Sequence, residues 1–180
     1  IEERLKEKCE DRTFFVFADT VSAINYAKTI SGNGWLGVRF QHEPCRDSND
    51  VAIHVKMLDK DNRLQQEAIG ILGVNLLYAC FHYRDNMEDF IKSLHDGLQD
   101  RVNIDMVRAT GPAFEAVDNR LLALYLVKHG LTEVTMFKED GDPMHASEFL
   151  YKKNLMVVRG NFRPPTLVTE DVIDKAFSQF

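Results

Sequence analysis

The chain has 180 residues, of which 44% are hydrophobic and 28% are charged, and its formal net charge is -6. This length and balance predict a folded domain with a sizeable core and exclude a chain that is disordered over most of its length. Nucleic acid and anionic membrane surfaces attract clustered cations, whereas the Lys and Arg residues here are scattered, so we expect neither partner.

The cysteines and the chain ends bear on where the protein works. The cysteines are Cys9, Cys45 and Cys80, without a C-x-x-C pair, which favours a reducing compartment. No signal-peptide pattern is present, and we predict a cytoplasmic protein. Ile1 begins inside one helical pattern and Phe180 ends inside another, so we expect a piece of a longer protein.

Strand patterns dominate the first third of the chain. A charged pattern over residues 1–12 predicts a peripheral helix, and we expect residues 13–180 to form a single α/β domain. Aromatic and β-branched residues predict strands over 13–18, 35–41 and 50–58. In the third of these strands every second residue is apolar, which predicts one buried face. Short turns separate the three strands, so we predict an antiparallel meander.

The longest apolar run, residues 64–81, follows the third strand. Apolar side chains fill nearly its whole circumference, which is typical of a helix buried on all sides. Without its polar start the run is too short to cross a bilayer. We therefore place this helix at the centre of the core, with Asn62 as its N-cap and Cys80 among its buried residues.

Helical and strand patterns alternate in the second half of the chain. Helices are predicted over 87–98 and 119–129, with Asn86 and Asp118 as N-caps and Gly130 after the second helix. The other predicted elements are strands at 102–109, 132–137 and 155–159, a turn at 139–143 and helices at 146–150 and 170–177. We predict an α/β or α+β fold with a mixed sheet, in which the N-terminal antiparallel meander is followed by β-α units and helices pack on the sheet.

Two short motifs have a context that argues against a functional role. Residues 32–37 match G-x-G-x-x-G, but a strand pattern follows where the dinucleotide-binding motif needs a helix. We interpret this stretch as a hairpin turn whose glycines have positive φ. His42 and Cys45 form a single H-x-x-C, and the other histidines are dispersed, so we predict no metal site and assign no catalytic residue.

The most specific pattern lies between Met156 and Ala176, MVVRGNFRPPTLVTEDVIDKA. It resembles the G-x-F-x-P-x-[HT]-x-G-H opening of the nucleotidylyltransferase superfamily, whose loop and following helix hold the phosphates of ATP. Val168 replaces the Gly and Thr169 the last His of that pattern, and in the family this His stabilises charge on the transferring phosphate. The resemblance implies a phosphate site made of Arg159, Gly160, Phe162, Arg163, Pro164, Thr166 and Thr169, in which the two arginines could supply positive charge.

A wider resemblance covers most of the chain. Segments such as GWLGVRFQ, QQEAIGILGVNLLY and LYKKNLMVVRGNFRP are similar to an uncharacterised family of longer bacterial proteins. Its members carry automatic labels of nicotinate-nucleotide adenylyltransferase or TonB-dependent receptor, and no outer-membrane strand repeats support the second label. The residues themselves indicate no cofactor, whereas the first label implies a nucleotide ligand and adenylyl transfer to a mononucleotide with Mg-ATP. The alternative is a non-enzymatic assembly or partner-binding domain, and a homo-oligomer is compatible with both.

Overall fold

The structure, a computed structural model, describes Arg4 and residues 12–179. The peripheral helix predicted for residues 1–12 therefore lies almost entirely outside the described residues. The chain separates into two compact units, Ile1–His145 and Ala146–Phe180.

The first unit is built on a four-stranded sheet in the order β1-β2-β3-β4. The strands are β1 (Phe15–Ser22), β2 (Asn33–Phe40), β3 (Asn49–Met57) and β4 (Val102–Thr110). The predicted fold class and the N-terminal meander are confirmed. The sequence predicted a mixed sheet, but all three pairings are antiparallel. Two helices separate β3 from β4, and this extra reversal of the chain returns β4 antiparallel to β3.

One face of this sheet packs against the hydrophobic core. Alternate residues of a strand point to the same side, and the alternation predicted for the third strand is observed. The core residues of β2 and β3 are Leu36, Val38, Phe40, Val51, Ile53, Val55 and Met57. The opposite side, which carries Trp35, Gly37, Ala52 and His54, is called the second face below. Because His54 is also buried, part of the second face must be covered.

Three helices also contribute side chains to the core: α1 (Asn62–His82), α2 (Met87–Leu94) and α3 (Asn119–Lys128). The predicted N-caps of α2 and α3 are confirmed, because Asn86 and Asp118 accept hydrogen bonds from backbone N–H groups of the first turn. Each cap satisfies donors that have no partner inside the helix.

The polar residues of α1 fix its start and its contact with α2. Asp61 is the N-cap, one residue before the predicted Asn62, and its side chain accepts from two N–H groups of the first turn. Asn75, in the middle of the apolar run, donates to the carbonyls of Leu94 and Asp96 at 3.2 and 2.9 Å. These bonds satisfy carbonyls at the end of α2, which stops short of the predicted residue 98.

The prediction that α1 is buried on all sides is wrong. Leu72, Leu76 and Cys80 are fully buried, but Val74 is 66% exposed and Tyr78 is 51% exposed. The sheet and the other helices pack on one side of α1, and the stripe that carries Val74 and Tyr78 is largely exposed. The apolar character of the run therefore did not predict burial at these two positions.

Gly32 directly precedes β2 and residues 33–37 form its start, so no helix follows this motif, as its context predicted. The predicted positive φ is wrong, because neither Gly32 nor Gly34 is among the glycines with positive φ. Space is the reason for glycine at both positions. A Cβ would lie 2.5 Å from Oε1 of Gln65 at Gly32, and 2.6 Å from the carbonyl oxygen of Thr20 at Gly34.

The outer edge of β4 is covered by the chain itself. The side chain of Asn119 accepts from the backbone N–H of Ala109 at 2.8 Å and donates to its carbonyl at 3.0 Å. The N–H of Ile104 donates to the carbonyl of Leu131 at 2.9 Å. These bonds occupy backbone groups that would otherwise be open to another strand.

A short hairpin ends the first unit. The predicted strand at 132–137 is reduced to β5 (Met136–Phe137), which pairs antiparallel with β6 (Pro143–Met144) across the predicted turn. β6 contacts β4. His145 follows β6 directly and is buried.

The second unit holds α4 (Ala146–Leu150) and α5 (Leu167–Gln179). The helices predicted at 146–150 and 170–177 are confirmed, whereas the strand predicted at 155–159 is wrong. That segment is irregular and pairs with no described strand, and Val157 is 84% exposed. A β-forming composition does not produce a strand without a partner edge. This segment belongs to the second compact unit, and the single domain over 13–180 stays a prediction.

A candidate metal centre on the second face of the sheet

Three side chains with metal-ligand chemistry meet on the second face. His54 lies on β3, Asp105 on β4, and His145 directly after β6. Their side chains are only 4%, 10% and 8% exposed, respectively. The ligand atoms of the three residues all lie within 4.8 Å of one another. Buried ionisable groups are normally paired or bind metals.

A β-bulge lies at Asp105. His54 pairs with Met106, and the next residue of β3, Val55, pairs with Ile104. Asp105 is therefore an extra residue on β4, and its carboxylate contacts both His54 and Lys56 of the neighbouring strand. Asp105 reaches the second face by the regular alternation that follows core residue Ile104, and bulges are frequent beside active sites.

The Asp105 carboxylate is the hub of the cluster. Its Oδ1 lies 2.6 Å from Nδ1 of His54. Its Oδ2 lies 2.9 Å from Nζ of Lys56 and 3.4 Å from Nε2 of His145. The contacts to His54 and Lys56 are close, and the contact to His145 is the longest of the three. The two imidazole rings lie against each other, with centroids 3.8 Å apart.

Trp35 forms an apolar wall beside the two histidines. It pairs with His54 across β2 and β3. Its ring meets the His54 ring edge-on at 5.0 Å between centroids, and the His145 ring at 5.8 Å. Trp35 is the single tryptophan of the 180-residue chain. The tryptophan fluorescence of the chain therefore arises beside this cluster.

The electrostatics favour the forms that bind a metal. Burial opposes ionisation of Asp105, but hydrogen bonds from His54 and Lys56 outweigh it and lower the pKa of Asp105 to about 2. Burial, with the neighbouring His54, lowers the pKa of His145. At neutral pH the cluster therefore presents a carboxylate and a neutral His145 imidazole. Metal ligation requires these two forms.

This donor set suits divalent transition metals. Two imidazole nitrogens and one carboxylate match zinc, iron, cobalt or nickel better than calcium or magnesium, which prefer all-oxygen sites. Three protein ligands leave at least one coordination position for water or another small ligand. Among the described residues this is the one group of three or more such side chains with that geometry.

The sequence analysis did not predict that these three residues lie close together. His54 and Asp105 are 51 residues apart, and no short spacing connects them with His145. One signal was available: His54 lies on the polar side of the predicted third strand, where a buried histidine needs a partner. The sequence did not indicate that His145 would lie against the same face of the sheet.

The phosphate site predicted from the sequence lies in the second unit, on exposed chain. Arg159, Gly160, Phe162, Arg163, Pro164 and Thr166 are exposed, and Thr169 is half-buried. Only the two threonines are joined by hydrogen bonds. Their hydroxyl oxygens are 3.0 Å apart, and the Thr169 N–H donates to Oγ1 of Thr166 at 3.3 Å. The Thr166 hydroxyl thus acts as an N-cap for α5. Nucleotide binding by this segment stays a prediction.

Comparisons with protein-family models, with curated proteins and with solved structures gave no match. Among the described residues, no helix is both long and apolar enough to cross a membrane.

Proposed function

We propose that the first unit binds one divalent transition-metal ion through His54, Asp105 and His145. The observation that carries this proposal is the convergence of three buried ligand side chains from distant chain segments, with all ligand atoms within 4.8 Å of one another. The Asp105 carboxylate supports it, because its two oxygens contact a nitrogen of each histidine, at 2.6 Å for His54 and 3.4 Å for His145.

The competing account is a hydrogen-bonded network that only joins the β5–β6 hairpin to the sheet. In that account Lys56 supplies the positive charge that balances Asp105, at 2.9 Å. The two accounts differ in one measurable property. A network satisfied by Lys56 gains nothing from added metal, whereas a metal site binds one ion per chain and is stabilised by it.

The test is a titration of the metal-depleted protein with Co²⁺, Ni²⁺ and Zn²⁺, followed by Trp35 fluorescence and by calorimetry. Co²⁺ and Ni²⁺ should quench this fluorophore at a stoichiometry of one, because its ring lies beside both histidines. Zn²⁺ should then compete with the quenching ion. At about 100 times its dissociation constant, a bound metal stabilises the fold by roughly 2.7 kcal/mol.

Matched variants separate a specific site from surface binding. Loss of a metal's outer-shell partner costs about 10- to 100-fold in affinity, so loss of a ligand in His145→Ala should cost at least as much. His42→Ala is the control, because His42 is an exposed histidine beside Cys45 and tests the H-x-x-C pair. Equal affinities in His145→Ala and the parent chain would contradict the proposal.

Nucleotide binding at 159–169 and the alternative of a non-enzymatic assembly or partner-binding domain stay predictions of the sequence, as does the cytoplasmic location. The metal titration is independent of them, because it monitors the first unit. Adding Mg-ATP in a separate titration tests the nucleotide prediction without involving the metal ligands.

A further inference from the structure

We infer that the groove between β1 and α1 binds an extended polypeptide segment, which adds to the sheet as a fifth strand next to β1. This inference is independent of the metal site, which lies on the second face. It rests on an open strand edge, on two neighbouring cavities beside that edge, and on an acidic side chain that lines both of them.

The strand edge is the first observation. β1 pairs with β2 on one side, and no described strand pairs with its other side. At the opposite end of the sheet, Asn119 and Leu131 cover the edge of β4. β1 has eight residues, FVFADTVS, without proline or lysine, and Asp19 is its single charged residue. Its outward backbone N–H and carbonyl groups can therefore pair with another chain.

The groove beside this edge is the second observation. Phe17, Asp19 and Val21 line it from β1, as expected for alternate residues of one strand. Cavities of about 380 and 210 Å³ lie side by side between β1 and α1. They share Asp19, Ile69 and Gly70, so they form one continuous groove along the edge.

Two glycines of α1 shape the groove. A Cβ on Gly70 would meet no atom within 4 Å, so this position faces open space at the middle of the groove. A Cβ on Gly73 would lie 3.1 Å from the ring of Phe17, so glycine lets β1 and α1 approach closely there. Side chains of an added strand can enter at Gly70, and a larger residue at that position would fill the space.

The lining residues specify the chemistry of the occupant. The smaller cavity is mainly apolar and includes Phe17, Val74 and Leu77, while the larger one adds the polar residues Asn62, Gln65 and Gln66. Asp19 lines both cavities and is exposed, and no described residue forms an ion pair with it. The groove therefore fits an extended segment with alternating apolar side chains and a Lys or Arg opposite Asp19.

The experiment uses the whole chain and two blocked, fluorescein-labelled nonapeptides of alternating valine and threonine. One peptide carries lysine and the other glutamate at the central valine position. Binding is followed by fluorescence polarisation, and hydrogen exchange of the β1 amides reports strand pairing. We expect the lysine peptide to bind at least about tenfold more tightly than the glutamate peptide and to slow exchange in β1.

Variants locate the binding. Gly70→Leu fills the groove at an exposed helix position where leucine is the better helix former. It should lower the affinity for the lysine peptide about tenfold or more. Asp19→Lys should reverse the preference between the two peptides. Asp47→Lys, in the exposed loop between β2 and β3, is the charge control and should leave the preference unchanged.

Three outcomes would overturn the inference. The first is no binding of the lysine peptide up to about 1 mM, where even a weak complex would be half-formed. The second is binding that Gly70→Leu leaves unchanged while circular dichroism shows both proteins folded. The third is protection of β1 by a second copy of this chain, seen as a concentration-dependent dimer in sedimentation that excludes the peptide.

Discussion

The cluster of His54, Asp105 and His145 in the first unit and the 159–169 segment of the second unit are candidate sites of opposite construction. His54, Asp105 and His145 come from distant segments and are buried together by the fold. The 159–169 segment carries its pattern in consecutive residues, nearly all of which are exposed. A linear motif is easy to read but does not by itself form a cavity. A cluster assembled by the fold cannot be recognised from a sequence motif, but the folded chain already holds its side chains in position.

The largest expected difference between the two units lies in packing. Leu76 of α1 is fully buried, and Leu76→Ala should destabilise the first unit by about 2–5 kcal/mol, because it removes apolar contacts and leaves a cavity. Val172 of α5 is 54% exposed, and Val172→Ala should change stability by less than about 0.5 kcal/mol. Urea denaturation of both variants measures the contrast. Similar midpoints for the two would show that the units do not differ in this way.

This contrast explains what could be predicted from the sequence. The meander, the N-caps Asn86 and Asp118 and the core side of the third strand are encoded in short-range patterns, and all of them are confirmed. Similar patterns gave wrong predictions where burial or strand formation depends on neighbouring elements of the fold. Val74 and Tyr78 are apolar but lack a covering element, and the β-forming segment at 155–159 lacks a partner strand.

The candidate metal centre lay beyond sequence reasoning for the same reason. Its assembly needs the β3–β4 pairing, which brings Asp105 to His54 across 51 positions of the chain, and the contact of β6 with β4, which brings His145 there. Both are long-range properties of the fold. The histidines are dispersed along the chain, as noted from the sequence, yet two of them touch in space.

A smaller effect is expected at Lys56. It tests how the positive charge of this side chain affects the metal affinity of the cluster. The ammonium group lies 2.9 Å from Oδ2 of Asp105, where it competes with a metal for the carboxylate and repels it. Lys56→Met should therefore increase the affinity for Zn²⁺ about tenfold, which corresponds to roughly 1.4 kcal/mol. Competition against Co²⁺, read from Trp35 fluorescence, measures the change. Weaker binding would instead show that Lys56 holds Asp105 in position for the metal.

The corresponding test in the second unit concerns the N-cap of α5. Thr166 accepts the N–H of Thr169 at 3.3 Å, so Thr166→Ala should destabilise α5 by about 1 kcal/mol, whereas Thr166→Ser should restore the cap. Helix content by circular dichroism during thermal unfolding measures this effect. If Mg-ATP raises the midpoint of the parent chain but not that of Thr166→Ser, the hydroxyl cap alone does not explain the role of this threonine.

The smallest expected effect is a dependence of stability on pH, which should differ between the N-caps of α3 and α5. Asp118 caps α3, and hydrogen bonds from the Arg120 side chain and then from its backbone N–H lower the pKa of Asp118 to about 2. A carboxyl whose pKa is lower in the folded state stabilises the fold above its unfolded pKa of about 4. That contribution is lost as the pH falls from about 4 to 2. The Thr166 cap of α5 carries no titratable group and should show no such change.

Asp118→Asn isolates this contribution, because asparagine is an equally good N-cap but cannot ionise. The parent chain should be the more stable at pH 6, and the difference should shrink as the pH falls through 4 and vanish near 2. The pair with Arg120 is exposed to solvent, so salt should reduce the difference at pH 6 as well. A stability difference that is the same at pH 6 and pH 2.5 would mean that the Asp118 charge contributes nothing, and that the cap works through its hydrogen bond alone.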